Sequence, residues 1–164
     1  MSPKTNTAKT AKSAGNKKTI RAGAEPQLHV LVFGKAGCDK CAILEKRLDQ
    51  MLGKEEYSQF DKVKFDMESE EGLVEFCSLE CMNPQRIPGF VVARRNQRSQ
   101  LFEPLPRRPD LAAAGSDDLY GDARLHTWLG LQTDYSPQGG GVISPKMIAA
   151  VLREAKAWAA ETHD

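Results

Sequence analysis

The chain has 164 residues, 40% of them hydrophobic, and its 23 basic and 22 acidic side chains leave a formal net charge of +1. That is one ordinary domain with enough apolar material to build a core without disulfide staples. No stretch approaches the roughly 18 apolar residues of a membrane span and no apolar signal region follows the N-terminus, so the expectation is a soluble cytoplasmic protein with no membrane partner.

The charge is unevenly spread. Residues 1–24 hold Lys4, Lys9, Lys12, Lys17, Lys18 and Arg21 and no acid; without those six, 17 bases face 22 acids, a remainder of about −5. This segment has almost no large apolar residue before Ile20, too little to offset the entropy of ordering it. Residues 1–26 are therefore predicted to be a disordered basic tail and 27–162 the folded domain.

Leu28–Phe33 is a short, β-rich apolar run, as expected of a strand buried on both faces. From Cys38 to about Leu52 the period turns helical, with Cys41, Leu44, Leu48, Met51 and Leu52 at spacings of three and four before Gly53. Val63–Asp66 reads as a second strand. A second helix runs to about Glu80, with Ser69 as N-cap and Glu70 and Glu71 suited to the helix dipole. Gly89–Ala93 is a third strand, and the polar stretch Arg94–Arg98 turns it into a fourth near Ser99–Glu103. The last element is a helix from Pro145 to about Ala160, with Ser144 as its cap. Residues 104–138 read as an insertion containing one helix, roughly Asp117–Leu131, with Trp128 and Leu131 as packing residues. Strands alternating with helices and then pairing directly predict an α/β sandwich with mixed strand directions.

The chemistry concentrates at Cys38-Asp39-Lys40-Cys41, where a buried strand meets a helix N-terminus. There the first sulfur faces unpaired backbone N–H groups and the positive end of the dipole, which stabilise a thiolate. Cys41, one turn on, is placed to close a disulfide on a mixed intermediate. Lys40 favours the thiolate and Asp39 opposes it.

Three segments carry a resemblance: Val30-Leu31-Val32-Phe33, the turn Ala36-Gly37-Cys38-Asp39-Lys40-Cys41, and Arg86-Ile87-Pro88-Gly89-Phe90-Val91-Val92. Together they are similar in order and spacing to the thioredoxin superfamily. The resemblance covers about residues 28–103 and 139–160. It implies a thioredoxin-like three-layer sandwich with a central mixed four-stranded sheet flanked by helices, and a cis bond at Ile87–Pro88. It also implies a thiol-disulfide oxidoreductase of cell redox homeostasis, with Cys38 as nucleophile, Cys41 as resolving thiol, and Ile87, Pro88, Asp39 and Lys40 binding substrate. The partner would be a protein or low-molecular-weight disulfide, and electrons would come from thioredoxin reductase or the glutathione system. No resident cofactor is implied, with glutathione only as a reductant. The chain departs from ordinary thioredoxins at Gly37, where they carry tryptophan, at Asp39-Lys40, where they carry Gly-Pro, and at Val32, where they carry a buried aspartate. Those departures point to a specialised partner or a different redox poise.

Other readings stay open beside this one. Gly115-Ser116-Asp117-Asp118-Leu119-Tyr120 looks like the glutathione-carboxylate loop of glutaredoxins, which would make the chain a glutathione-dependent reductase. Cys77 and Cys81, spaced i, i+4, could complete a four-thiolate zinc site with Cys38 and Cys41, making a non-enzymatic zinc-binding or interaction module. Cys81 could instead serve as an extra resolving thiol, or Cys77 could simply fill the apolar face beside Leu73 and Phe76. His29, His126 and His163 form no ligand-like cluster, and Gly139-Gly140-Gly141 reads as a flexible bend without the lysine of a phosphate loop. Arg94, Arg95, Arg98, Arg107 and Arg108 have few interleaved aromatics, as expected of solvated loop charges rather than a nucleic-acid interface.

Overall fold

The computed structural model describes residues 28–108, 120–141 and 143–161. Five strands and three helices occur in the order β1 (Leu28–Gly34), α1 (Asp39–Leu52), β2 (Phe60–Asp66), α2 (Glu70–Ser78), β3 (Gly89–Arg95), β4 (Phe102–Pro104), β5 (Gly130–Gln132) and α3 (Pro145–Glu161). β1 lies between parallel β2 and antiparallel β3, and β4 and β5 both pair antiparallel with β3.

Alternation along β1 separates two apolar layers, because successive side chains of a strand point to opposite faces. Leu28, Val30 and Val32 join Phe90 and Val92 of β3 under α1, which contributes Leu44 and Leu48, and α3, which contributes Ile148 and Leu152. Leu31 and Phe33 join Phe65, Val91 and Ala93 on the other face, where α2 supplies Phe76 and the loop after it Leu79 and Met82. The result is an α/β sandwich with α1 and α3 on one side of the sheet and α2 on the other. Each fully buried Leu, Val, Ile or Phe stabilises it by about 1.5–3 kcal/mol relative to exposure.

The caps read from the sequence form. The Ser69 hydroxyl accepts the Gly72 N–H at 3.0 Å, and the Ser144 hydroxyl accepts the Met147 N–H at 3.3 Å. α2 ends at Ser78, two residues short of the expected limit.

The sheet has five strands rather than four, because residues expected to lie in an insertion return to it. β4 pairs with Ala93–Arg95 and β5 with Gly89–Val91, so two short strands lie end to end along one edge of β3. They meet at Val92, whose C=O accepts the Leu105 N–H and whose N–H donates to the Leu129 carbonyl, each at 2.9 Å. Between them the chain leaves on an excursion whose stem is closed by Leu129 N–H to Leu105 O at 2.8 Å and Arg107 N–H to Thr127 O at 3.0 Å. The helix expected over Asp117–Leu131 does not form: residues 117–119 lie outside the described residues, Gly121–Ala123 make one 3₁₀ turn, and Gly130–Gln132 are strand. Among the described residues, no helix is long and apolar enough to cross a membrane. The basic segment 1–26 and residues 115–119 of the glutaredoxin-like loop also lie outside the described residues.

Candidate functional site

Cys38 is the N-cap of α1, in extended conformation at φ −99°, ψ 110°. Its Sγ accepts the Cys41 N–H at 3.2 Å, using the backbone donor that a first helical turn leaves without an intrahelical partner. The two cysteines form a disulfide across Cα atoms 5.2 Å apart. They differ in access. Cys38 is partly exposed, while Cys41 is 3% exposed and packed with Leu31, Phe33, Met82 and Ile87. Of the two sulfurs, the first is therefore the more accessible from solvent, and the second is packed in the core beside it.

The Ile87–Pro88 peptide is cis, the isomer the resemblance implies. Both residues are buried, and their loop is fastened to the end of β5 and the segment after it. The Gln132 side chain accepts the Asn83 N–H at 2.9 Å and donates to Asn83 O at 2.8 Å and Arg86 O at 3.3 Å. Arg86 Nε donates to Thr133 O at 2.9 Å. Thr133 donates twice to the Pro88 carbonyl, from its N–H at 3.0 Å and its hydroxyl at 2.5 Å, which engages both lone pairs of that oxygen. The Tyr135 hydroxyl donates to Ile87 O at 2.5 Å.

This clasp continues to the last helix through the three glycines, which form a hydrogen-bonded turn rather than a flexible bend. Gly139 N–H donates to Ser136 Oγ at 3.1 Å, Gly140 N–H to Ser136 O at 3.2 Å, and Gly141 N–H to Asp134 O at 2.7 Å. Gly141 has φ +69°, which favours glycine, and a Cβ there would meet Lys40 Nζ, so any larger residue would also move the Lys40 ammonium.

The residues expected to bind substrate divide. Lys40 and Pro88 line the same open groove, with Arg47, Thr133, Gly141 and Ile143. Lys40 Nζ lies 4.2 Å from the centroid of the Tyr135 ring, a cation–π contact. Ile87 presents a carbonyl already engaged by Tyr135, and Asp39 is exposed outside the groove lining. Val32 is 1% exposed among apolar neighbours, and the buried polar side chains among the described residues are His29, Gln132, Thr133 and Glu154, so no buried aspartate takes its place.

No family model matches the chain, and no curated protein matches it significantly. The site is therefore read from its own geometry.

That geometry does not assemble the four-cysteine zinc site: among the described residues no group of three or more His, Cys, Asp or Glu side chains is placed to hold a metal ion. Cys77 is an exposed free thiol, not a core residue, because α2 turns Gly72 and Phe76 to the sheet and leaves Leu73 48% exposed. Cys81 is half-buried against the layer that holds Cys41 and Ile87. The arginines scatter as well: Arg94 stacks on Trp158, Arg95 on Phe102, and Arg108 pairs with Glu161 at 2.6 Å.

Gln132, Thr133 and Tyr135 are the site residues that sequence reasoning missed. Their partners lie 45–49 positions away along the chain, and no local pattern marks such contacts.

Proposed function

We propose that the protein is a thiol-disulfide oxidoreductase of thioredoxin-like fold. The observation that carries this reading is the asymmetry of the pair at the start of α1: a reachable Cys38 whose sulfur accepts a backbone N–H, and a buried Cys41 joined to it. The strand order β2-β1-β3-β4, with a parallel pair followed by antiparallel ones, supports the fold assignment.

In the reducing direction, the Cys38 thiolate attacks one sulfur of a substrate disulfide. A mixed disulfide forms and the other substrate sulfur leaves as a thiolate that takes a proton from solvent. Cys41, deprotonated, then attacks Cys38 Sγ and expels the second substrate thiolate. The substrate disulfide gains two electrons and the Cys38–Cys41 pair loses two. A reductase dithiol or two glutathione molecules, themselves oxidised to a disulfide, return two electrons and restore the pair, and with an oxidised pair and a reduced substrate the same steps run backwards.

Substitution separates the two roles. Cys38→Ser is expected to lower reduction of a model protein disulfide to the uncatalysed background, while Cys41→Ser accumulates a covalent mixed disulfide visible by intact-mass spectrometry. Activity in Cys38→Ser equal to that of the parent protein would remove Cys38 from the chemistry and leave the fold to a binding role.

A further inference from the structure

The groove beside the cysteine pair has an uneven charge. Its only charged lining residues are Lys40 and Arg47, and neither has a carboxylate partner among the described residues. They stand seven residues apart on α1, which puts them on one helix face about 10 Å apart along the axis.

Both are held in place by neutral groups. Lys40 Nζ rests on the Tyr135 ring, whose hydroxyl is anchored on Ile87 O, and a Gly141 without a Cβ leaves room for the ammonium. Arg47 donates one Nη to Ile143 O at 2.8 Å and keeps the rest of its fork for another acceptor. Ile43, Leu44, Pro88 and Ile143 supply the apolar part of the lining. Two pre-positioned cations without counter-charges among the described residues, on the helix that starts at the cysteine pair and in a groove lined by Pro88, fit a substrate that brings its own negative charge.

We propose that this groove selects disulfides carrying a carboxylate close to the exchanged bond, with Lys40 and Arg47 as the residues that recognise it. The inference rests on the disulfide-exchange reading above. Lys40 stands between Cys38 and Cys41 in the chain, so an acid that meets it lies close to the substrate cysteine. Tyr135 is a positioning residue here, acting through Lys40. The main-chain acceptors of the cis-proline loop are already engaged by Thr133 and Tyr135, which shifts recognition from backbone pairing to side-chain charge.

The test compares two disulfide-cyclised peptides, identical except for Glu or Gln two residues from the first cysteine. Their reduction is followed by chromatography under limiting dithiothreitol, with the Cys38→Ala rate subtracted. The Glu peptide is expected to be preferred about twofold to fivefold in kcat/KM at low ionic strength, in keeping with one partly exposed ion pair in the field of a second cation. The preference shrinks toward one as salt rises from about 20 to about 500 mM, because the screening length shortens across that range. Lys40→Gln and Arg47→Gln each reduce the ratio, Lys40→Arg and Arg47→Lys largely keep it, and Tyr135→Leu lowers it through loss of the ring under Lys40. Equal, salt-insensitive rates for the two peptides would overturn the proposal while leaving disulfide exchange intact. If neither peptide is reduced above the Cys38→Ala background, the exchange reading itself fails and the proposal with it.

Discussion

Asp134 shows how one side chain holds the turn that closes the site. Its carboxylate accepts the Ser136 N–H at 2.9 Å and lies 3.7 Å from Arg86, while its backbone carbonyl accepts the Gly141 N–H. The Ser136 backbone N–H, then the Ser136 hydroxyl, and more weakly Arg86 hold its carboxyl below the usual aspartate range. A folded pKa below the unfolded value of about 3.9 contributes stability that is fully present above that value and disappears as pH falls through the folded one. The thermal midpoint of Asp134→Asn is therefore expected below that of the parent at pH 6, with the gap closing as pH falls below the unfolded value of about 3.9. A gap that stays constant to pH 2 would mean that the ionised carboxylate is not what holds the turn. At this scale the sequence was partly legible. Cys38 and Cys41 could be found because a strand-to-helix junction is a local pattern, and that junction alone places one sulfur at the helix N-terminus. Thr133 and Tyr135 could not, because a hydroxyl finds a carbonyl 45 or more residues away only after the sheet has formed.

Among the elements, the periodic ones could be read and the interrupted strand could not. β1, α1 and α3 each repeat their apolar residues over several turns or pleats, and their expected ends differ from the observed ones by at most one residue. Trp128 and Leu131 are also spaced as on a helix, but Gly121 and Gly130 weaken that helix. The N–H and C=O of Val92 offer the segment a sheet edge instead. Tertiary pairing therefore overrode a local period. Gly130 records how tightly β5 is seated, since a Cβ there would run into the Phe90 carbonyl and Val91 Cα, and neither is a side-chain end that can swing aside. Gly130→Ala is expected to lower stability by at least about 2 kcal/mol, within the range for overpacked sites, read as a shift of the urea midpoint at unchanged slope. A loss below about 0.5 kcal/mol would show that β5 does not lie against β3 as described. Because Gln132 ends β5 and Thr133 and Tyr135 follow it closely, the same substitution should also slow disulfide reduction, linking the seating of this edge strand to the site.

At the scale of the whole molecule, the proposed redox role requires the protein to stay folded in both states of the cysteine pair, and the distribution of apolar burial suits that requirement. The disulfide closes a loop of only four residues, from Cys38 to Cys41. The chain-entropy relation gives such a loop about 2 kcal/mol of stabilisation. Two apolar layers on opposite faces of the sheet stand against that amount, the first including Phe60, Leu48, Leu131, Ile148 and Leu152 and the second Leu31, Phe33 and Val91, all 2% exposed or less. Each of these side chains contributes about as much as the disulfide. Cys41 belongs to the second layer through its packing, which an alanine only partly replaces, so the paired variant Cys38→Ala/Cys41→Ala loses some contact as well as the cross-link. Even so, it is expected to unfold in one cooperative transition and to remain folded at 25 °C, as is the parent protein in excess dithiothreitol, with circular dichroism and urea unfolding as the readouts. A reduced protein that loses its fold at 25 °C would make the pair a structural staple, because a dithiol that unfolds its own carrier cannot cycle. A reduced protein that keeps its fold leaves the cysteine pair free to change state while the sheet, the clasp around Pro88 and the cationic groove stay in place.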